Sequence, residues 1–486
     1  MRLSDLLSVL QPNRVDGPTD RDVAGVTHDS REAGVRDVFV AIRGARVDGR
    51  TFAPDLDVVA VIADGPVTVK PGVTRVLVAD ARRALAVVAA ILHGSPGRRV
   101  PVVAVTGTNG KTTTCWMVEH IALAAGRTPG VLGTNGHRLG GQPLPDGPLT
   151  RFTTPESPIL QALLSQMIDG GSDLVAMEAS SIGLHARRAD QIPFRAAGFT
   201  SFSRDHLNYH GTEAAYLEAK QRLFTELIAS DGVAVLNADD PAIIDTPTRA
   251  ARCWRYSRHR RDVELYATDS QFSLQGTSAQ VVTPAGSGRL TLPLIGAYNL
   301  ENALAALGLS LAVGIALEDA LAGLASLPAI AGRLERVQGA GEAAVFVDYA
   351  HTPDALVQVL AALRPLTPGR VLTVFGCGGD RDPGKRPMMG QAASSGSDQV
   401  YVTSDNPRSE DPDAIIAQIM TGVVGAAVVE ADRAAAIGAA VRDARPGDVV
   451  LIAGKGHETY QIIGSVKRPF SDVAMAEAAL QRKEAG

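Results

Sequence analysis

The sequence predicts an α/β protein of three domains: a small α/β N-terminal domain, a central domain with a mostly parallel sheet and flanking helices, and a C-terminal Rossmann-like α/β domain. Three observations support this prediction. The chain has 486 residues, enough for about three domains of roughly 150 residues each. Apolar runs alternate with helical patterns along most of the chain, as in parallel sheets. Several of these runs end in glycine-rich or charged clusters, the places where open α/β sheets bind ligands.

The composition is that of an ordinary globular protein, with 45% hydrophobic and 20% charged residues and a net charge of −5. This charge gives no reason to expect nucleic acid or an anionic membrane as a partner. The N-terminal stretch 1–17 has no uninterrupted apolar core, so it is not a signal peptide. No apolar run reaches the roughly 18 residues of a membrane span. Together with three cysteines that lack metal-ligand spacing, these features predict a cytoplasmic protein.

The first predicted domain covers residues 1–98. Apolar strands at 38–42 and 58–62 precede a helix at Ala81–Leu92, and the segment 95–99 has the composition of a linker. The stretch 27–50 is dense in turn formers and arginine. From the residues alone it is either a solvated loop or a binding segment.

The second predicted domain, residues 99–331, begins with a phosphate-binding loop. An apolar strand at 102–105 leads into a turn with Gly107 and Gly110, which is followed by Lys111, Thr112 and a helical pattern. In such a P-loop, backbone N–H groups surround an anion, the lysine reaches the outer phosphates, and the threonine ligates magnesium. The strict Walker pattern would place glycine where this chain has Val105. The spacing still favours an ATP site over an ordinary helix-capping turn.

Polar clusters follow three further predicted strands of this domain. The strands lie at 173–177, 197–202 and 233–236, and the clusters at 178–181, 203–206 and 237–240. Because the carboxyl ends of parallel strands meet at one edge of a sheet, we expect these clusters to lie near the phosphate-binding loop.

A lysine lies on the apolar face of the helix predicted over 212–227. Lys220 is three residues from both Leu217 and Leu223, which belong to that face. Its side chain either extends outward to solvent at the edge of the apolar face or points inward toward a metal site.

The third predicted domain, residues 332–486, repeats the pattern of strand followed by polar cluster four times. The strands lie at 344–347, 371–375, 400–403 and 449–453. A single glycine cluster is usually only a turn, but four charged clusters in succession indicate a second ligand-binding edge that faces the first.

Eight motifs occur in order along the chain: TGTNGKTTT, MEASS, SRDHLNYHG with YLEAKQRLF, NLENALAA, GRLERV, DYAHTPDAL, GCGGDRDPGKRP and AGKGHE. Together they resemble the Mur ligase family across nearly the whole chain. The resemblance implies an ATP-dependent amide ligase that adds meso-diaminopimelate to UDP-N-acetylmuramoyl-L-alanyl-D-glutamate through an acyl phosphate, in peptidoglycan biosynthesis. Alternatives are a ligase that adds L-lysine or ornithine, another Mur or folylpolyglutamate-type ligase, and a catalytically silent nucleotide-binding homologue.

The resemblance also implies an ATP site, magnesium ligands and catalytic residues. The implied ATP contacts are Gly107, Thr108, Asn109, Gly110, Lys111, Thr112, Thr113, Asn299, Arg333 and Asp348. The implied metal ligands are Thr112, Glu178, His206 and Lys220, and the implied catalytic residues are Lys111, Glu178, His206, Lys220 and His351. Lys220 matches the family's carbamylated lysine (N6-carboxylysine), which would turn an amine on an apolar face into an anionic metal ligand.

For the other two substrates the resemblance divides the contacts between domains. Residues 1–98 would bind the UDP end, 99–331 ATP, and 332–486 the amino acid. The implied UDP-substrate contacts are His28, Ser30, Ala45, Arg46, Val47, Thr153, Thr154, Ser180 and Arg188. The implied diaminopimelate contacts are Arg381, Asp405, Asn406, Pro407, Arg408, Gly454 and Glu458. Family precedent implies a monomer.

The tetrapeptide DNPR, residues 405–408, is the form that the family associates with meso-diaminopimelate. Arg408 could bind the distal carboxylate with two parallel hydrogen bonds, a contact that lysine would leave unmade. The chain departs from the family pattern near the dipeptide. The departures are Phe152, Ile182, Ala186 and Asn208.

Overall fold

The computed structural model describes residues 1–44, 47–144, 152–339 and 343–485. Within these ranges the strands form three sheets, each covered by helices, and one separate hairpin. The predicted α/β class with three domains is confirmed. Among the described residues, no helix is long and apolar enough to cross a membrane.

The N-terminal sheet has five strands in the order β1-β5-β4-β3-β2, parallel except for β1. The strands are Arg14–Asp16 (β1), Gly25–Thr27 (β2), Asp37–Ala41 (β3), Ala60–Ala63 (β4) and Thr74–Leu77 (β5), and the helices are Leu3–Leu10 (α1) and Ala81–Leu92 (α2). Helix α2 begins at the predicted residue, because the Asp80 carboxylate accepts a hydrogen bond from the Arg83 N–H and caps its first turn.

The central sheet has eleven strands in the order β16-β15-β14-β13-β12-β11-β6-β10-β7-β8-β9. Its strands are Val102–Thr106 (β6), Pro129–Gly133 (β7), Gly136–Leu139 (β8), Gln142–Pro143 (β9), Leu174–Glu178 (β10), Phe194–Phe199 (β11), Ile228–Asn237 (β12), Arg252–Ser257 (β13), Leu265–Ser273 (β14), Gly276–Thr283 (β15) and Gly286–Leu292 (β16). Its helices are Lys111–Ala124 (α3), Ser157–Asp169 (α4), Ser181–His185 (α5), Leu207–His210 (α6), Glu213–Arg222 (α7), Ala297–Ala312 (α8) and Leu317–Ala325 (α9).

The neighbouring strands β14, β13, β12, β11, β6, β10 and β7 form the parallel part of this sheet, and its central strands β6 and β10 are buried on both faces. Val103 and Val105 of β6 pack against α3 and α8, whereas Val102 and Ala104 pack on the opposite side with α4. Burial on both faces explains why the strand is apolar without alternation.

The C-terminal sheet has the order β17-β18-β22-β19-β20-β21 and is parallel except for β17. Its strands are Glu335–Arg336 (β17), Ala344–Asp348 (β18), Val371–Phe375 (β19), Gln399–Val402 (β20), Ala427–Val429 (β21) and Val449–Ala453 (β22), and the hairpin is Tyr460–Ile463 (β23) and Val466–Pro469 (β24). Its helices are Pro353–Leu363 (α10), Lys385–Gly396 (α11), Pro412–Met420 (α12), Arg433–Asp443 (α13) and Asp472–Ala485 (α14).

Candidate active site

The phosphate-binding loop connects β6 to α3, as predicted, and its conformation requires glycine. Gly107 and Gly110 have φ angles of +151° and +88°, which residues with a Cβ rarely adopt. A Cβ at Gly110 would also lie only 2.3 Å from Oδ1 of Asn302 in α8. The loop is further held by Ser201, whose backbone carbonyl accepts a hydrogen bond from the Thr108 N–H at 2.7 Å. The loop is therefore fixed between α8 and the end of β11.

Two lysine side chains converge on the carbonyl of Gly107. Nζ of Lys111 lies 2.8 Å from this oxygen and Nζ of Lys220 lies 2.7 Å from it. Lys220 is 1% exposed, and its amine also lies 4.5 Å from the centre of the Tyr216 ring. The structure thus selects the inward orientation of Lys220 over the solvent-directed one.

Burial holds the pKa of Lys220 well below its ordinary value, and the neighbouring positive charge of Lys111 lowers it further. Asp205 acts in the opposite direction but does not offset these two effects. Burial therefore weakens the preference of this side chain for the charged form. The neutral amine is the nucleophilic form of lysine.

Glu178 lies at the end of β10 and is surrounded by hydrogen-bond donors. Its Oε1 accepts from Oγ1 of Thr112 at 3.0 Å and from the backbone N–H of Thr134 at 2.8 Å, and its Oε2 accepts from Oγ1 of Thr134 at 3.0 Å. Arg333, from the segment that leads into the C-terminal sheet, donates from Nη2 to Oγ1 of Thr112 at 3.3 Å. The structure thus brings three of the predicted residues, Thr112, Glu178 and Arg333, together beside the phosphate-binding loop.

His206 lies at the edge of this cluster rather than within its hydrogen-bond network. Its backbone has a φ of +52°, and its Nε2 is 3.5 Å from the Asp205 carboxylate. Partial burial lowers the pKa of His206; Asp205 opposes this effect, whereas the charges of Lys111 and Lys220 add to it. The centre of the His206 ring also lies 6.1 Å from the centre of the Tyr216 ring, which Lys220 contacts as well.

The predicted ATP contacts from α8 and β18 also shape the local backbone. Nδ2 of Asn299 donates to the Ile295 carbonyl at 2.8 Å. The Asp348 carboxylate accepts from the N–H groups of Leu334 and Ala350 at 2.7 and 2.8 Å, and burial raises its pKa. Asp348 therefore joins the segment that carries Arg333 to the segment that carries His351.

His351 itself is exposed and is oriented by its own loop, since its Nδ1 is 2.8 Å from the Tyr349 carbonyl. Tyr349 also stacks beneath Arg333, whose guanidinium carbon lies 5.0 Å from the ring centre.

Four predicted UDP-substrate contacts lie next to Glu178. Oγ1 of Thr153 is 3.1 Å from Oγ1 of Thr134, and Oγ1 of Thr154 donates to the Glu178 carbonyl at 2.9 Å. Ser180 caps α5 by accepting from the Gly183 N–H, and its own N–H donates to Oγ1 of Thr154 at 2.9 Å.

Arg188 is the fourth of these residues. It is buried, donates to the Thr154 carbonyl at 3.0 Å and pairs with Glu156 at 2.6 Å. The ring of Phe152, one of the departures, lies 4.5 Å from its guanidinium, whereas Ala186 is buried within α5 and its turn. Ile182 is half-buried and Asn208 is exposed.

Three of the remaining UDP-substrate predictions fall on loops of the N-terminal sheet. His28 and Ser30 are half-buried, and Val47 is exposed with its carbonyl accepting from the Gly44 N–H. Ala45 and Arg46 lie outside the described residues.

The predicted diaminopimelate residues follow the carboxyl ends of β19, β20 and β22. Nδ2 of Asn406 donates to Oε2 of Glu458 at 2.8 Å, and the buried Lys455 donates to the same oxygen at 3.0 Å. A Cβ at Gly454 would lie 2.9 Å from the Asp405 carboxylate, so this site also needs glycine at the strand end.

Arg408 follows Pro407 with a φ of +50° and holds the hairpin β23–β24 through backbone hydrogen bonds to Ile462 and Gly464. Its Nη1 donates to the Gly379 carbonyl at 2.6 Å. Arg381 is close enough for partial burial and the Arg408 charge to lower its pKa. Two guanidinium groups close to each other are suited to a carboxylate ligand.

Four other residues belong to this site and were not predicted as site residues. Thr134 follows β7 directly, so a search of the residues after each strand could have found it. Lys455 belongs to the polar cluster that follows the predicted strand 449–453. Asn302 and Asp354 lie inside the motifs NLENALAA and DYAHTPDAL, but their local sequence does not indicate that they lie next to the phosphate-binding loop. Asp354 contacts the phosphate-binding loop through Asn109, 245 residues away.

Comparison with known proteins gives matches over the whole chain. The Mur ligase middle domain matches residues 105–310 and the Mur ligase glutamate ligase domain matches residues 332–456. The chain belongs to the Mur ligase family. Relatives in this family include the UDP-N-acetylmuramoyl-L-alanyl-D-glutamate--2,6-diaminopimelate ligase of Geobacter metallireducens, 41% identical over 99% of this chain and 98% of its own. The enzyme of the same name from Gloeobacter violaceus is 42% identical over 99% of both chains.

A solved Mur ligase structure of that name aligns with a TM-score of 0.70 at 33% identity, covering 100% of this chain and 99% of its own. This Mur ligase is therefore an enzyme of the ligase class, and the lysine, threonine and carboxylate cluster described above is its candidate catalytic centre.

Proposed function

We propose that this chain is an ATP-dependent amide ligase that adds meso-diaminopimelate to UDP-N-acetylmuramoyl-L-alanyl-D-glutamate in peptidoglycan biosynthesis. The observation that carries the proposal is its agreement, over 99% of its length at 41% to 42% identity, with enzymes named for that reaction. The geometry also supports it, because strand ends of the central sheet carry a phosphate-binding loop and strand ends of the C-terminal sheet carry Arg381 and Arg408.

In this proposal ATP binds at the loop from Gly107 to Lys111. The N-terminus of α3 and the loop N–H groups stabilise the phosphates, and Lys111 moves from the Gly107 carbonyl to the outer phosphate. Arg333 approaches the same region from the C-terminal side, where it neutralises charge that develops during phosphoryl transfer. The terminal carboxylate of the dipeptide attacks the γ-phosphorus, and the acyl phosphate forms as ADP leaves.

The residues around Glu178 fit a magnesium ion. A hydroxyl from Thr112 and a buried carboxylate from Glu178 are hard oxygen ligands 3.0 Å apart. When bound, magnesium would neutralise phosphate charge there. Glu178 and His206 are the proposed ligands of a second ion, together with a modified Lys220.

Lys220 is the proposed carbamylated residue. Its neutral amine attacks the carbon of carbon dioxide, forms an N–C bond and loses a proton, which leaves an anionic carbamate. The low pKa of Lys220 favours the amine form that this step needs. The negative charge of the carbamate would lie next to the positive charge of Lys111. In the unmodified protein the same Lys111 charge disfavours a positively charged Lys220.

Diaminopimelate binds between the DNPR segment and Glu458. Arg408 and Arg381 hold the carboxylate of the distal centre, and Asn406 and Glu458 face its ammonium group. The amine of the other centre then attacks the acyl phosphate, and phosphate leaves from a tetrahedral intermediate. Catalysis rests mainly on positioning and charge neutralisation. His351 is proposed to act at the interface where the two sheets meet.

The domain roles follow the same division. We propose that residues 1–98 bind the UDP end, residues 99–331 bind ATP and residues 332–486 bind the amino acid. We also propose that the protein is a monomer and is located in the cytoplasm. The three cysteines, which are free in the structure, support a reducing location.

The test is phosphate release by the purified chain with ATP, magnesium and the UDP-linked dipeptide. We expect release only when meso-diaminopimelate is also present, and none from Lys111→Ala. Release with L-lysine and not with meso-diaminopimelate would show that lysine is the amino acid that this chain adds. A chain that binds ATP but releases no phosphate with either amino acid would favour a catalytically silent homologue.

A further inference from the structure

Asp354 bridges the C-terminal domain to the phosphate-binding loop. Its Oδ2 accepts hydrogen bonds from Nδ2 of Asn109 at 3.0 Å and from Oγ of Ser203 at 3.2 Å. Asn109 belongs to the loop itself, and Ser203 belongs to the polar cluster after β11. One carboxylate oxygen therefore contacts two separate elements of the central domain.

The helix that carries Asp354 does not need this side chain as a cap. Thr352 caps α10 by accepting from the Ala355 N–H, and Pro353 occupies the first helical position. The carboxylate of Asp354 is directed across the domain boundary instead. Within α10, Asp354 contributes only the favourable interaction of a negative charge in the first turn with the helix dipole.

Further hydrogen bonds fix both of the elements that Asp354 joins. On the loop side, the backbone N–H of Asn109 donates to Oγ of Ser201 at 2.9 Å, and Ser203 exchanges hydrogen bonds with Thr108. On the helix side, Asp354 lies three residues after His351, whose carbonyl accepts from Nζ of Lys385 at 2.8 Å. A shift of α10 would thus move residues at the reaction centre.

A second contact of the same kind lies nearby. Arg333 reaches Thr112 from the C-terminal side, and Gly296, where α8 begins, packs close enough to α10 that a Cβ there would lie 2.9 Å from Ala362. The contact of Asp354 with Asn109 is therefore one of several contacts between the C-terminal segment and the central sheet rather than an isolated pair.

We propose that Asp354 is a positioning residue, which holds the C-terminal domain over the phosphate-binding loop so that Arg333 and His351 meet the bound nucleotide. This inference rests on the proposed function, because it assigns the loop to ATP. Through Asn109, Asp354 couples the conformation of the loop to the closure of the C-terminal domain. Closure of this type completes a catalytic site and excludes water from it.

The chain offers a matched control for a substitution here. Asp413 follows Pro412 in the first turn of α12, just as Asp354 follows Pro353 in α10. Asp413 is exposed and has no side-chain contact with the central domain among the described residues. Asp413→Ala thus removes the same helix-dipole interaction and leaves the domain interface unchanged.

We expect Asp354→Ala to lower kcat at least about tenfold, the loss expected for a hydrogen bond to a charged group. Asp354→Asn retains one acceptor oxygen and should lose less. Ser203→Ala should have a smaller effect, and the double variant Ser203→Ala, Asp354→Ala should be no worse than Asp354→Ala alone, since both remove the same contact. Asp413→Ala should match the wild type.

A second readout needs no turnover. Small-angle scattering of the full chain with magnesium and a non-hydrolysable ATP analogue should show a larger radius of gyration for Asp354→Ala than for Asp413→Ala, at equal melting temperatures. Equal radii and equal kcat for these two variants would overturn the inference. If the wild type makes no tripeptide, the proposed function fails, and the scattering comparison still decides the role of Asp354.

Discussion

Nζ of Lys220 lies 2.7 Å from the carbonyl oxygen of Gly107, which joins the buried face of α7 to the first glycine of the phosphate-binding loop. The two residues are separated by 113 positions in sequence. The buried amine of Lys220 therefore contacts the backbone of the phosphate-binding loop directly.

Replacement of Lys220 by alanine should therefore abolish ligation while the fold persists. We expect a loss of at least about a hundredfold in kcat, comparable to the removal of a strongly stabilising charged group. Phosphate release and circular dichroism melting measure the two properties. Lys70→Ala, which removes a half-buried surface lysine paired with Asp57, is the control and should behave as the wild type. Near-normal turnover of Lys220→Ala would rule out the carbamate role.

The low pKa of Lys220 predicts a pH-dependent stability in buffer free of carbon dioxide. Below the pKa of the folded state the buried amine is protonated and destabilises the fold fully. As pH rises from there toward the unfolded value of about 10.5, the unfolded chain binds more protons than the folded one, so stability increases. Lys220→Met lacks this penalty. Its melting temperature should exceed that of the wild type at low pH, and the difference should shrink as pH rises; a constant difference would contradict the assignment.

Arg408 should determine the use of diaminopimelate rather than the binding of ATP. Arg408→Lys keeps the positive charge but cannot make two parallel hydrogen bonds to a carboxylate, so KM for diaminopimelate should rise at least about tenfold. KM for ATP should change less than about twofold. Steady-state kinetics with each substrate varied separately provides the comparison, and the exposed Arg442→Lys serves as control. Equal losses for both substrates would remove the specificity role.

Thr134 should matter for activity although it precedes no recognised motif. Thr134→Val keeps the volume and the backbone donor but removes the hydroxyl that donates to Glu178 at 3.0 Å. We expect about a tenfold loss in kcat/KM for ATP and a shift to higher magnesium requirement, while Thr134→Ser retains activity. The exposed Thr291→Val should have no effect. An unchanged magnesium dependence would show that Thr134 does not orient Glu178.

The sequence predicted the elements whose ends are set locally. Helix Ala81–Leu92 and strands Val371–Phe375 and Val449–Ala453 occur with the predicted bounds, because a cap or a glycine turn defines them. The inward orientation of Lys220 was one of two open alternatives, and burial on α7 decided between them.

Elements shaped by distant contacts were predicted less well. Strand Phe194–Phe199 begins and ends earlier than the apolar run at 197–202, since Phe194 pairs with Ile228 and the chain leaves the sheet at Thr200 to bind the loop. The helix predicted to continue to 227 ends as an α-helix at Arg222 and finishes in a π-helical turn at Leu223–Leu227. The domain boundaries at 98/99 and 331/332 stay predictions.

The distance in sequence between contacting residues also explains which site residues could be predicted. Gly107, Gly110 and Lys111 are neighbours in sequence, so their spacing reveals their role. The contact between Asn109 and Asp354 spans 245 residues and depends on how two sheets approach each other, which no local pattern encodes.

The most direct test of the central claim is the mass of the product formed in competition. The purified chain is given ATP, magnesium and the UDP-linked dipeptide with equal concentrations of meso-diaminopimelate and L-lysine, and the product is analysed by mass spectrometry. We predict a single new species heavier by one diaminopimelate residue, which disappears in Lys111→Ala. A product that carries lysine, or no product despite bound ATP, would contradict the account.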